Sequence, residues 1–127
     1  MNLLKKIFAS SNDNFGQVAW TELCNLEDLE EVLKQSKKET VCIFKHSTRC
    51  AVSASVLRKF ERNLFTVPKF EKNYYLIKVI ECREVSRSLA EQLQVRHESP
   101  QLLVVQGRKA LMHASHYEIL EMDNLAN

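Results

Sequence analysis

The passage from Val41 to Cys50 constrains this chain more than any other. Val41-Cys42-Ile43-Phe44 is a short apolar run of strand-favouring residues, whereas Val52, Val56, Leu57, Phe60 and Leu64 recur at helical spacing. A strand therefore hands over to a helix at about Cys50, with Ser47 and Thr48 as candidate N-terminal caps. A sulfur at that junction faces unpaired backbone N–H groups and the positive end of the helix dipole, both of which favour the thiolate. Arg49 adds a positive charge, and the thiolate is the nucleophilic form of cysteine. In Cys50-Ala51-Val52-Ser53 the fourth position is serine, so the second thiol of a CxxC site is missing. Any disulfide at Cys50 needs another partner, and the Ser53 hydroxyl is expected to donate to the Cys50 sulfur across the first helical turn.

Composition narrows the function classes. With 127 residues, 45% of them hydrophobic, the chain can bury one core. Residues 1–17, with the polar run SSNDNFG, are expected to be an N-terminal extension and residues 18–127 a single domain. Eighteen basic against sixteen acidic residues, spread along the chain for a net charge of +2, leave no footprint for nucleic acid. No apolar run reaches the length of a membrane span, and MNLLKKIF lacks a secretory apolar core, which makes the cytoplasm the expected location. Four cysteines in such a chain are expected to be reduced. Cys42 reads as core, Cys24 as packing at the end of the first strand and His46 as structural. No CxxC pair is present and His97, His113 and His116 lack ligand spacing, so no metal is expected. Gly16 and Gly107 are too few for a phosphate-binding loop.

The remaining periodicities give the fold. Asn25 can cap a helix with Leu26, Leu29, Val32 and Leu33 on one face, ending near Ser36. Tyr74 to Ile80 reads as a strand, and Val85, Leu89 and Leu93 as the apolar face of a helix. Leu102 to Val105, a turn at Gly107-Arg108-Lys109 and Ala110 to Ala114 make a hairpin. Ile119, Leu120 and Leu125 mark a closing helix. The order is strand, helix, Cys-bearing strand, helix, strand, helix, hairpin, helix. It predicts an α/β, thioredoxin-like fold, three-layered, with parallel strands and a C-terminal antiparallel hairpin in one mixed sheet. Cys50 then lies at the C-terminal edge of a central strand, where open α/β sheets bind ligands.

The words IFKHSTRC (Ile43 to Cys50), Ser53 three residues on, and VRHESPQ (Val95 to Gln101) resemble the monothiol bacilliredoxins, the YtxJ-like family of thioredoxin-fold proteins. Weaker similarity runs from Trp20 to about His116. The resemblance implies a thiol-disulfide oxidoreductase in which Cys50 attacks mixed disulfides between proteins and bacillithiol. Bacillithiol, a low-molecular-weight thiol, is then the co-substrate, with no bound cofactor, and the partners are bacillithiolated proteins. Ser99-Pro100 resembles the cis-proline dipeptide of thioredoxin-like proteins, whose backbone an extended substrate can pair with. Bacillithiol carries a pair of malate carboxylates, which Arg49 or Arg96 is expected to recognise. A monomer is expected.

The sequence departs from the family at Ala51, where proline usually follows the active cysteine, so the family's reduction potential does not transfer. Cys82, at the end of the Tyr74–Ile80 strand, is expected at the same sheet edge as Cys50, where it is a candidate second thiol for intramolecular cycling. A reading from another class is a non-catalytic thioredoxin-fold binding module using the edge at Ser99.

Overall fold

The computed structural model describes residues 7–9, 19–66 and 73–122. Leu125, the Leu64 side chain and the rest of the 1–17 segment lie outside the described residues. Among the described residues, six strands form one mixed sheet: β1 (Ile7–Ala9), β2 (Ala19–Glu22), β3 (Val41–His46), β4 (Tyr74–Lys78), β5 (Gln101–Gln106) and β6 (Lys109–Ser115). Their spatial order is β1-β2-β4-β3-β5-β6, with β2, β4 and β3 mutually parallel. The pairs β1–β2, β3–β5 and β5–β6 are antiparallel. Helices α1 (Leu26–Gln35), α2 (Ala51–Thr66) and α3 (Arg83–Leu93) and a short 3-10 helix (His116–Glu121) complete the described elements. The architecture is the expected thioredoxin-like α/β fold. It differs at the start, where Ile7–Ala9, inside the segment read as an extension, adds a strand against β2.

The two faces of β3 explain the layers. Val41 and Ile43 join Leu29, Val32 and Leu33 of α1 and Val85 and Leu89 of α3 in one apolar cluster. Cys42 and Phe44 point the other way, into a cluster with Trp20, Leu76, and Val56 and Phe60 of α2. A strand covered on both faces reads as a continuous apolar run, which is why Val41 to Phe44 shows no alternation. Each large aliphatic or aromatic side chain buried there stabilises the fold by roughly 1.5–3 kcal/mol. Trp20 packs against Phe44, Phe60 and Tyr74 while its indole N–H donates to Glu61 Oε2 at 2.7 Å, which fastens α2 to the sheet.

Local signals set the boundaries. Asn25 caps α1, its Oδ1 accepting the Asp28 N–H at 2.8 Å, although Leu26 at the first helical position stays 43% exposed. Gly107 and Arg108 form the hairpin turn with φ of 62° each, and Lys109 already belongs to β6. Glycine takes that left-handed conformation freely. Arg108 is held in it by a backbone bond to Ser36 Oγ at 2.9 Å and a forked ion pair with Glu30 at 2.9 and 3.1 Å.

Candidate active site

After β3 ends at His46, a short turn leads to Cys50, whose N–H donates to the Ser47 carbonyl at 3.2 Å. The Cys50 carbonyl accepts the Ala54 N–H at 3.1 Å, which makes Cys50 the N-cap residue of α2. The amides of the first turn therefore begin beside the sulfur. Cys50 is half-buried and free. The other free cysteine, Cys42, is wholly buried, and burial pushes its thiol up to about 12, so it remains a protonated core residue at neutral pH.

The cap candidates Ser47 and Thr48 have other partners. The Ser47 N–H donates to Ser53 Oγ at 3.0 Å, and the Thr48 hydroxyl donates to Glu81 Oε2 at 2.9 Å. Ser53, fully buried, also bonds His46 Nδ1 at 2.7 Å. Burial first, and then the Lys78 charge, hold the His46 imidazolium below its ordinary range against the pull of Glu81, so the ring is neutral at pH 7. Ser53 Oγ thus accepts the Ser47 N–H and shares a second hydrogen bond with the His46 ring. Both Ser53 bonds go to the segment that precedes Cys50. Its role here is to lock the end of β3 and the turn against α2, where the sequence had suggested a direct donor to the sulfur.

The second family word lies alongside. The antiparallel register ends at Lys45↔Gln101, so Pro100 directly precedes the β5 residue that pairs next to the end of β3. The Ser99–Pro100 peptide bond is cis, Pro100 is buried, and its carbonyl accepts the His116 N–H at 2.9 Å. Ser99 Oγ is buried with no partner among the described residues. Arg49 and Arg96 are both exposed. Arg49 adjoins Cys50 and, after the Thr48 hydrogen bond and together with Lys78, helps hold the Glu81 carboxyl low. Arg96 belongs to the loop entering β5, where its carbonyl accepts from Gln101 Nε2 at 3.0 Å.

Sequence reasoning passed over Lys45. This lysine is 0% exposed, and its Nζ donates to the Ser86 carbonyl at 3.0 Å and to His97 Nδ1 at 3.2 Å. Burial pulls the ammonium down to about 8. Burial, then Lys45 itself, keeps His97 below its ordinary range, so its ring is a neutral acceptor at pH 7. The contact ties the loop bearing Ser99 to β3 and α3. The available signal was a lysine set between Phe44 and His46 in a strand that is covered on both faces.

Cys82 requires a correction. It does not stand free beside Cys50 but forms a disulfide with Cys24, with Cα atoms 5.0 Å apart. Cys24 is more than a packing residue, and two of the four expected thiols are bonded. The cause is topological. β2 and β4 are adjacent and parallel, with Thr21↔Tyr75 and Glu22↔Leu76 in register, so the chains leaving their ends emerge side by side. Cys50 follows β3, on the opposite side of β4.

Known proteins share this fold. A family model described as monothiol bacilliredoxin BrxC matches residues 21–124. Among solved structures, a protein described as an oxidoreductase with a thioredoxin fold aligns at a TM-score of 0.66 and 26% identity, covering 77% of this chain and 83% of that one. Fasciola hepatica thioredoxin aligns at 0.63 and 15% identity, over 83% of this chain and 94% of its own. Mitochondrial thioredoxin 3 of Saccharomyces cerevisiae gives 0.64 and 14%, over 84% and 92%; at these identities both show the fold alone. With a free cysteine opening the helix after the central strand and a family match over most of its length, this chain belongs to the monothiol bacilliredoxin BrxC family of thioredoxin-fold thiol oxidoreductases.

Proposed function

We propose that the protein reduces mixed disulfides between proteins and bacillithiol, with Cys50 as the attacking thiolate. The observation that carries this reading is a half-buried free cysteine at the N-cap of α2 with Ser53, and no thiol, three residues on. A helix N-terminus supports an anionic sulfur. The absence of a neighbouring thiol suits a site that hands its disulfide to a second small thiol.

In the first step the Cys50 thiolate attacks the bacillithiol sulfur of the mixed disulfide. The bond between bacillithiol and the substrate protein breaks, a Cys50–bacillithiol bond forms, and the substrate sulfur leaves with the electron pair and takes a proton from water. In the second step another bacillithiol thiolate attacks the bacillithiol sulfur on Cys50, which gives bacillithiol disulfide and regenerates the Cys50 thiolate. Bacillithiol is thus a co-substrate and no bound cofactor is needed. Ser53 positions the turn through His46 and Ser47. The position of Ser99-Pro100 directly before β5, next to the end of β3, supports a substrate contact at that edge, where an extended segment pairs with the backbone. Arg49 or Arg96 meets the malate carboxylates by charge-assisted bonds. Ala51 supplies an N–H beside the sulfur where the family's usual proline has none. The protein works as a monomer in the cytoplasm on this reading.

The test is single-turnover release. A bacillithiolated model protein is mixed with reduced wild type or Cys50→Ser, and the free substrate thiol is followed with time. Wild type is expected to release one substrate thiol per Cys50 and the variant none; undiminished release by Cys50→Ser would contradict the proposal.

A further inference from the structure

The disulfide at the other side of β4 has the features of a reactive bond. We propose that Cys24–Cys82 is a second exchange site of this protein, opened by low-molecular-weight thiols, with Cys24 as the sulfur attacked and Cys82 as the leaving thiolate. The inference stands apart from the Cys50 reaction and does not rest on it.

Three observations assign the two roles. Cys24 is exposed just beyond β2, whereas Cys82 is only 7% exposed, so an incoming thiol reaches Cys24 first. Cys82 is the N-cap residue of the eleven-residue α3, its carbonyl accepting the Ser86 N–H at 3.1 Å. In the bridged form α3 has no side-chain cap hydrogen bond, which leaves the amides of its first turn without that partner. A Cys82 thiolate would supply it, since an anionic sulfur at the N-cap accepts from those amides and sits at the positive end of the dipole. Opening the bridge therefore completes a helix cap, and a stabilised leaving thiolate departs faster. Among neighbouring charges, Arg83 favours the thiolate, while Glu81 and Glu84 oppose it. The Glu81 carboxylate is engaged by the Thr48 hydroxyl.

The chemistry balances with two equivalents of a small thiol. The first thiolate attacks Cys24 Sγ, the Cys24–Cys82 bond breaks, and Cys82 leaves with the electron pair. The second attacks the small-molecule sulfur on Cys24, which releases the small disulfide and the Cys24 thiolate. Two thiols are oxidised, one protein disulfide is reduced, and the protons of the small thiols pass to the solvent or to the protein sulfurs.

The experiment uses the full chain carrying Cys50→Ser, with wild type alongside to guard against a folding defect. The oxidised proteins are placed in graded glutathione and glutathione-disulfide buffers without denaturant, quenched with iodoacetamide and read by intact mass and peptide mapping. In both proteins two alkyl groups are expected to appear together on Cys24 and Cys82 as the buffer becomes more reducing. The trapped intermediate should carry glutathione on Cys24 and an alkyl group on Cys82. A pair that stays closed until the protein is unfolded, glutathione found on Cys82 with Cys24 alkylated, or thiols that no mild oxidant closes would each overturn the proposal.

Discussion

Cys50 and Cys82 occupy equivalent positions with different outcomes. Each is the N-cap residue of a helix that follows a strand of the parallel set, α2 after β3 and α3 after β4. Cys50 is free and half-buried, while Cys82 is buried and bonded to Cys24. What separates them is the neighbouring strand. On the far side of β4, parallel β2 ends at the same edge and delivers Cys24. On the far side of β3, antiparallel β5 begins at that edge and brings in Ser99-Pro100, which has no thiol. The direction of the adjacent strand decides whether a second protein thiol meets the capping sulfur, as Cys24 meets Cys82, or leaves it free, as at Cys50.

The largest effect is expected at the Cys24–Cys82 bridge. By the chain-entropy argument, a link of sequence separation 58 stabilises the oxidised protein by about 4 kcal/mol. Cys24→Ser should lower unfolding stability in urea by that order, yet leave transfer of small-molecule adducts to Cys50 intact. Equal stability of variant and oxidised wild type, or lost transfer in a folded variant, would deny the separation of the two sites.

Ser53→Ala probes the other side. It removes the partner of the Ser47 N–H and of His46 Nδ1 at a fully buried position, at a cost of roughly 1–3 kcal/mol. Slower Cys50 exchange with unchanged Cys24–Cys82 reduction is expected, and unaltered exchange would remove Ser53 from the site's support.

Lys45 makes stability depend on pH. Its folded value of about 8 lies below the ordinary 10.5, so between these values the unfolded chain holds more protons than the folded one. Its contribution to stability is therefore fully present above 10.5 and lost as pH falls through about 8. At about 1.4 kcal/mol per unit, that is on the order of 3 kcal/mol. Subtracting the Lys45→Met profile from wild type isolates this rise from the opposite effect of Cys42, and parallel profiles would show that the ammonium is not desolvated. The smallest effect belongs to Thr48→Val, which removes an exposed hydrogen bond to Glu81. Cys50 exchange should change less than in Ser53→Ala, measured by the same adduct-transfer rate.

The sequence announces those parts of the molecule in which local chemistry and tertiary structure agree. The junction at Cys50 is visible because an apolar run gives way to helical spacing, and α1 because Asn25 has no better use than a cap. The hairpin shows itself through Gly107. The Cys24–Cys82 bond is hidden because it depends on two segments 58 residues apart emerging side by side, a distance that no local pattern encodes. Strand β1 owes its conformation to pairing with β2. Spacing puts Ser53 one helical turn from Cys50, while the structure gives its hydroxyl to His46 and Ser47, a pairing that only the folded turn creates.

The most direct test treats the protein, reduced at Cys50 and bridged at Cys24–Cys82, with bacillithiol disulfide and reads intact mass and mapped peptides. One added bacillithiol is expected, located on Cys50, with the Cys24–Cys82 bridge retained. A Cys50–Cys82 or Cys50–Cys24 bridge with no added mass, or an adduct that persists in Cys50→Ser, would contradict it.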